Sequence, residues 1–289
     1  MNHQPLLNLR APAKINWFLS VIAKRKDGYH DINSLMQCVS LYDDLLFYSA
    51  GTLQVICDSD IPLEDNLVYK AASLLQKYTS CRKGIKIILH KNIPASAGLG
   101  GGSSDAASAL LGLNTLWGLG LKKKELTAIG MEIGSDVPFF LNGPSALVQG
   151  KGERITHLNF DSSMALLLVK PPVSVSTAWA YKTMKKLTKK TIDIKLLCRA
   201  FDERDFASLS NMLKNDLEKI VVKEYPVVGK IKNGLLEQGS FLSAMSGSGP
   251  TVFGVFESTA KASSAAREFG ENWCRVVTTV TKEELRLRL

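Results

Sequence analysis

The chain has 289 residues, 45% of them apolar and 22% charged, with a formal net charge of +9. That composition fits a globular protein with enough sequence for two domains. It excludes a membrane-spanning chain, because no apolar run reaches the required length. The N-terminus lacks a basic region followed by an apolar stretch. The five cysteines (38, 57, 81, 198 and 274) are scattered, with no Cys-x-x-Cys, so neither a disulfide framework nor a cysteine metal site is expected. Reduced thiols in a cytoplasmic chain are the expectation. The positive charge suits anionic small molecules or nucleic acid. The lysine groups at 122–124, 185–186 and 189–190 carry no interleaved aromatics and read as solvated faces, so no nucleic-acid partner is expected.

In chain order, Ile15 to Ile22 is apolar and β-leaning and follows Ala11-Pro12-Ala13-Lys14, which puts Lys14 at or near a strand start. Lys26-Asp27-Gly28-Tyr29-His30 is a turn by its Asp-Gly pair and leads into a mixed segment ending near Tyr48. After Asp65-Asn66, the residues Leu67, Val68, Ala71, Leu74, Leu75 and Tyr78 share one side of a helix. Ile85, Ile87 and Leu89 alternate as in a strand. The stretch Pro94-Ala95-Ser96-Ala97-Gly98-Leu99-Gly100-Gly101-Gly102-Ser103-Ser104 follows, and then apolar residues at 106, 109, 110, 113, 116 and 117 mark a helix with one buried face. Glu125 to Ile133 predicts a short helix broken by Gly134-Ser135-Asp136-Val137-Pro138. A first domain of residues 1–155 and a second of 156–289 are expected. The second opens with a strand at Met164 to Val169, is mainly helical to about 238, and treats the basic stretch 182–195 as a surface excursion. Near its end Ser243 to Pro250 is a second small-residue loop, before a strand at Thr251 to Phe256. Two readings of that loop stand: a plain hairpin turn, or backbone brought against the first loop. A helix after Ser258 and a β-leaning run from Cys274 to Val280 complete the pattern, which lacks regular β-α alternation and so suggests α+β.

Strand, glycine-rich loop and helix start, in that order, make an anion site. Glycine permits positive φ and leaves no Cβ in a ligand's way, and the free N–H groups of the first helical turn favour a phosphate. Capping of the helix by Ser103 or Ser104 is the simpler reading of the same residues, but it needs no cluster of four glycines. There is no Gly-x-x-x-x-Gly-Lys-Ser/Thr, and no acidic residue closes a strand about twenty positions on, as a dinucleotide fold requires. Phosphoryl transfer needs a carboxylate near the acceptor hydroxyl and charge neutralised at the moving group. Asp136 is the best carboxylate by context, with turn closure as its alternative role, and Lys14 is a candidate cation. Tyr29 and His30 form an aromatic pair suited to gripping a flat base or to covering a core edge. His3, His90 and His157 have no second ligand at useful spacing.

Assembled, these residues resemble the galactokinase, homoserine, mevalonate and phosphomevalonate kinase (GHMP) superfamily. The carriers are Ala-Pro-Ala-Lys-Ile-Asn (11–16), Arg-Lys-Asp-Gly-Tyr-His (25–30), Asp-Asn-Leu-Val (65–68), the glycine-rich loop, Gly-Ser-Asp-Val-Pro-Phe-Phe (134–140) and Ser-Gly-Ser-Gly-Pro-Thr-Val-Phe (246–253). The resemblance implies a two-domain α+β fold with the nucleotide site between domains, ATP as co-substrate and Mg2+ with it. It implies Lys14 and Asp136 as the catalytic pair, residues 94–104 with Asn66 and Lys91 on the ATP side, and Asn16, Tyr29, His30, Thr177 and Tyr181 on the substrate side. The Lys-x-Asn start joined to Asp-Gly-Tyr-His resembles members that phosphorylate the 2-hydroxyl of a cytidine diphosphate-linked methylerythritol, in the non-mevalonate route to isoprenoid precursors. Members acting on homoserine or mevalonate, and a basic nucleic-acid-binding protein, are the alternatives. A monomer or weak homodimer with no membrane partner is expected. Ser104 is a candidate magnesium ligand, no glutamate is placed for a second, and the metal site is left unassigned. The Pro-Ala-Ser-Ala-Gly opening of the loop holds less glycine than in many relatives, so its first turn is expected to be stiffer.

Overall fold

In the computed structural model the described residues are 4–160, 163–184, 187–188 and 192–286; His3 and the lysines at 185, 186, 189 and 190 lie outside them. The elements in order are β1 (Leu7–Lys24), β2 (His30–Tyr48), β3 (Leu53–Cys57), α1 (Leu67–Thr79), β4 (Ile85–His90), α2 (Gly101–Leu116), α3 (Lys123–Ile133), α4 (Val137–Asn142), β5 (Ser145–Gly150) and β6 (Arg154–His157). They continue with β7 (Ala165–Lys170), α5 (Thr177–Thr183), α6 (Ile194–Asp202), α7 (Phe206–Met212), α8 (Glu218–Glu224), α9 (Pro226–Glu237), β8 (Leu242–Met245), β9 (Val252–Phe256), α10 (Thr259–Ala266), β10 (Trp273–Thr278) and α11 (Lys282–Arg286). The fold is α+β.

The hairpin of β1 and β2 is the spine. The first sheet runs β3-β4-β2-β5-β6 with β1 on the remaining edge of β2, and the second runs β10-β7-β9-β8. Among the strands of the described residues, only β3 and β4 pair in parallel. Ala11 to Val21 of β1 are buried without a break, because the strand is covered on both faces. Leu9, Ala11, Met36, Cys38 and Leu45 pack toward α1, α2 and α4. Ala13, Ile15, Trp17, Leu35 and Val39 pack toward the second sheet and α6. Lys14 therefore stands in the middle of an 18-residue strand, not near its start, because Pro12 is accommodated at a register shift between Pro12 and Ala13 of the kind a bulge makes. The mixed segment to Tyr48 is likewise one 19-residue strand.

The helix after the glycine loop begins earlier than either serine. Gly100, at φ +71°, is its N-cap with no side-chain cap bond, and a left-handed residue at that point turns the chain straight into α2. Ser103 and Ser104 are thus inside the first turn and do not cap it. Nor does α2 have one buried face: Ser104 to Leu110, Gly112 and Leu113 are all buried, since α1, α3, α4 and β1 surround it.

Candidate active site

β1 carries two polar residues at i and i+2, which place Lys14 and Asn16 on one face amid an apolar strand. Three acceptors ring the Lys14 ammonium: Asn16 Oδ1 at 2.6 Å, Gly98 O at 3.0 Å and Asp136 Oδ2 at 3.6 Å. Lys14 is 4% exposed and Asp136 29%. Burial lowers the Lys14 pKa from the ordinary lysine value, with the Asp136 carboxylate opposing that drop. Asp136 occupies the N-cap position of α4, yet its side chain makes no cap bond; Pro138 supplies the pre-set φ of the first turn instead. The carboxylate is so left to the lysine and the cavity.

The glycine-rich loop lies over this pair. Lys14 N donates to Leu99 O at 2.9 Å. A Cβ on Gly98, at φ +75°, would lie 2.2 Å from Ser246 O, and one on Gly100 would lie 2.9 Å from the Phe140 ring. The chain therefore approaches its neighbours as only glycine allows. Ser96 adopts φ +50°, the left-handed region that costs a side-chain-bearing residue about 1–2 kcal/mol. The Ser243–Pro250 segment forms the β8–β9 hairpin and also packs on the first loop, through the Ser246 hydroxyl, which donates to Gly98 O at 2.9 Å. The backbone N–H that reaches that loop is the one just beyond the segment, Thr251 N to Ala97 O at 3.4 Å.

A cavity of about 1310 Å³ opens between the glycine loop, β1, the β1–β2 turn and α5, larger than the several hundred Å³ of a typical one-ligand pocket. Lys14, Asn16, Tyr29, His30, Asn66, Lys91, Asp136, Thr177, Tyr181 and most of the loop from Pro94 to Ser103 line it. Leu99 and Ser104 do not. Leu99 is 1% exposed in the apolar core, and Ser104 is fully buried with its Oγ unpartnered. Ser103 lies close to Gly134, with its Oγ 3.7 Å from where a Cβ would stand. Asn66 Oδ1 accepts from Val68 N at 2.9 Å and so caps α1.

Lys91 is held from below. Its ammonium bonds Asp43 Oδ2, and Asp105 Oδ2 at 2.6 Å. Asp43, wholly buried on β2, also accepts from Asn92 N at 2.6 Å and Ile93 N at 2.8 Å. Burial alone would lower the Lys91 pKa, but the two carboxylates raise it above the ordinary value. Burial drives the Asp105 carboxyl upward, with Asp43 adding to the shift and Lys91 opposing it. The aspartates were missed in the sequence; Asp43-Asp44 inside an apolar run was the available signal.

At the other end of the cavity, the two aromatics of the Asp27-Gly28 turn part company. The His30 ring pairs with Tyr181 of α5 at 5.2 Å between centroids, whereas Lys151 Nζ stands 5.5 Å from the centroid of the half-exposed Tyr29 ring. Burial raises the Tyr181 pKa, and the charge of Asp136 adds to it, so α5 reaches back toward the Lys14–Asp136 pair. Thr177 Oγ1 and Ser248 Oγ share a hydrogen bond of 2.8 Å. Lys151 and Ser248, both on the cavity wall, were not singled out for the site from sequence.

Residues 66–144 match the family described as GHMP kinases N terminal domain, and residues 194–274 the family described as GHMP kinases C terminal. The chain is similar to a 4-diphosphocytidyl-2-C-methyl-D-erythritol kinase of Thermodesulfovibrio yellowstonii, 47% identical over 282 residues, covering 96% of this chain and 99% of that one. A kinase of the same name from Geobacter metallireducens is 42% identical, covering 90% of this chain and 93% of its own. Among solved structures, a crystal structure of 4-(cytidine 5'-diphospho)-2C-methyl-D-erythritol kinase matches with a TM-score of 0.83 at 30% identity, over 94% of this chain and 99% of that one.

Proposed function

The chain belongs to the GHMP kinases, in the family of 4-diphosphocytidyl-2-C-methyl-D-erythritol kinases, and on that premise we propose that it transfers the γ-phosphoryl of ATP to the 2-hydroxyl of 4-diphosphocytidyl-2-C-methyl-D-erythritol. The observation that carries this reading is the Lys14–Asp136 pair at 3.6 Å, facing the same cavity as the glycine loop and the start of α2. Asp136 takes the proton of the acceptor hydroxyl as the oxygen attacks phosphorus, and Lys14 offsets the charge that develops there. The loop from Pro94 to Ser103 and the amides opening α2 hold the phosphates. Asn66 and Lys91 border the ATP side, Lys91 acting through its two aspartates more than as a free charge. Asn16 and Thr177 orient the acceptor, and Tyr29, His30 and Tyr181 hold its cytosine; an acceptor without a base would leave those three rings idle.

Magnesium would come with the nucleotide held by the loop from Pro94 to Ser103 and would supply positive charge against its phosphates. Among the described residues no group of three His, Cys, Asp or Glu side chains is gathered to hold a metal. The reading takes a small molecule as the partner, with no nucleic acid and no membrane, in a cytoplasmic monomer or weak homodimer serving isoprenoid precursor synthesis by the non-mevalonate route. Five unpaired cysteines accord with a reducing compartment. Among the described residues no helix is long and apolar enough to cross a membrane. A division into two domains near residue 155 is part of the proposal; it falls within β6, the last strand of the first sheet, and ahead of the second sheet, which opens at Ala165.

A coupled assay of ADP release with the cytidine-linked methylerythritol, homoserine and mevalonate as acceptors tests the proposal. Turnover is expected with the first alone. Turnover with either of the others and none with the first would overturn it.

A further inference from the structure

The segment between α7 and α8 has no role in the reaction above, yet its side chains reach the loop that closes over Lys14. Asn215 is 8% exposed. Its Nδ2 donates to two carbonyls, Met245 O at 2.8 Å and Gly247 O at 2.7 Å, while its Oδ1 accepts from Leu217 N at 3.0 Å. Glu218 Oε2 accepts from Met245 N at 3.1 Å. The backbone of the segment is tied to β1: Leu19 N donates to Lys214 O at 3.0 Å and Asp216 N to Leu19 O at 2.9 Å, and Asp216 Oδ2 accepts from Val21 N at 2.7 Å. One short stretch thus fastens the hairpin loop to the strand that carries Lys14 and Asn16.

The loop so held touches the reacting groups. Ser246 Oγ donates at 2.9 Å to Gly98 O, the carbonyl that also accepts from Lys14 Nζ at 3.0 Å. Asn16 N donates to Ser246 Oγ at 3.3 Å. A Cβ on Gly247, at φ +56°, would stand 3.1 Å from Lys14 Nζ, so the loop backbone forms a wall of the lysine's site. A primary amide has two N–H donors and can fix two carbonyls of one loop at once, which sets the direction of the peptides between them.

We infer that Asn215 is a positioning residue for phosphoryl transfer, holding the Met245 and Gly247 carbonyls so that the 246–249 loop stays closed on Lys14 and Gly98. The inference rests on the reading of Lys14 as the catalytic cation. Asn215→Asp separates the two jobs of the side chain: an oxygen remains for the Leu217 amide, and the donors to the loop are gone.

The expected result for Asn215→Asp is a fall in kcat of about tenfold or more with the KM for ATP within about threefold, the pattern of an interaction that serves the transition state. Amide exchange at Ser246 and Gly249, whose N–H groups donate to Thr251 O and Ser246 O, measured without substrates, should rise about tenfold or more as the loop opens locally. Because exchange is independent of turnover, a wild-type chain inactive as a kinase would sink the functional reading while leaving the clamp itself tested. A fall in melting temperature with kcat per folded enzyme unchanged would make Asn215 merely structural and overturn the inference, as would unchanged exchange. Ser246→Ala removes the hydroxyl on which the loop leans. Combined with Asn215→Asp, its effect on kcat should be less than additive; full additivity would mean two separate causes and overturn it. Should Asn215→Asp fail to fold, Ser246→Ala decides alone: a lowered kcat supports the clamp, and a wild-type kcat overturns it.

Discussion

Lys14 is the residue whose chemistry depends most on where the fold puts it. A lysine on an exposed strand end would keep an ordinary pKa; this one is nearly sealed, and its pKa is lowered chiefly by burial. The ammonium is the form that offsets charge at the transferring group, so the active species exists below the folded pKa and is lost as pH rises through it. The alkaline limb of kcat should accordingly fall at a pH below that of a solvated lysine. An alkaline limb at the ordinary lysine value, in a pH–rate profile, would mean that Lys14 is not the titrating cation. Asp136 serves the other half of the proton transfer. Asp136→Asn should lower kcat by about 10²–10⁴-fold, the range of a lost general base, with ATP affinity by calorimetry nearly unchanged because the nucleotide meets the loop instead. Retention of most turnover in Asp136→Asn would remove the aspartate from the mechanism.

At the scale of elements, the glycine loop is clamped at both ends by one buried cluster. Lys91 precedes the loop, Asp105 lies in the first turns of α2, and Asp43 of β2 joins them through Lys91 and the amides of Asn92 and Ile93. Two carboxylates share one ammonium, and burial lifts Asp105 from 3.8 to about 8. Between those values the folded chain holds a proton that the unfolded chain has released, so stability falls as pH rises through that window. Asp105→Asn takes away the ionisable group and should flatten the decline. Urea unfolding at pH 5 and pH 8.5 should show a loss smaller by about 1 kcal/mol or more than in the wild type, given about 1.4 kcal/mol per pKa unit. An equal loss in both proteins would show that Asp105 ionises freely in the fold.

Across the whole molecule, the two sheets do not have separate interiors. Trp17 of β1 meets Phe201 of α6 at 4.9 Å and Phe253 of β9 at 5.4 Å, both edge-on, and its indole donates to Gln37 at 2.7 Å. A core built from both halves should make them unfold together. Tryptophan fluorescence and far-ultraviolet circular dichroism are expected to report coincident transitions. Trp17→Ala should lower stability by roughly 3–5 kcal/mol, the usual cost of emptying an aromatic core site. Two well-separated transitions in the wild type would mean that the shared cluster does not couple the sheets.

By itself, the sequence determined the α+β class, most of the helices and strands and the glycine loop, and the motifs that resemble the family singled out Lys14 with Asp136. These signals are local: side-chain periodicity, glycine clustering and turn chemistry act within a few residues of chain. Tertiary structure alone decided that Lys14 sits mid-strand and sealed, that Gly100 and neither serine caps α2, and that His30 pairs with Tyr181 in place of Tyr29. It also decided that Lys91 is held by two aspartates and that Asn215 grips a loop some thirty residues away in the chain. Each of these is a partnership between side chains or backbone groups brought together by packing. No periodicity or propensity in a short window encodes which distant group will fill a given hydrogen bond, whereas burial in the finished core requires that some group must.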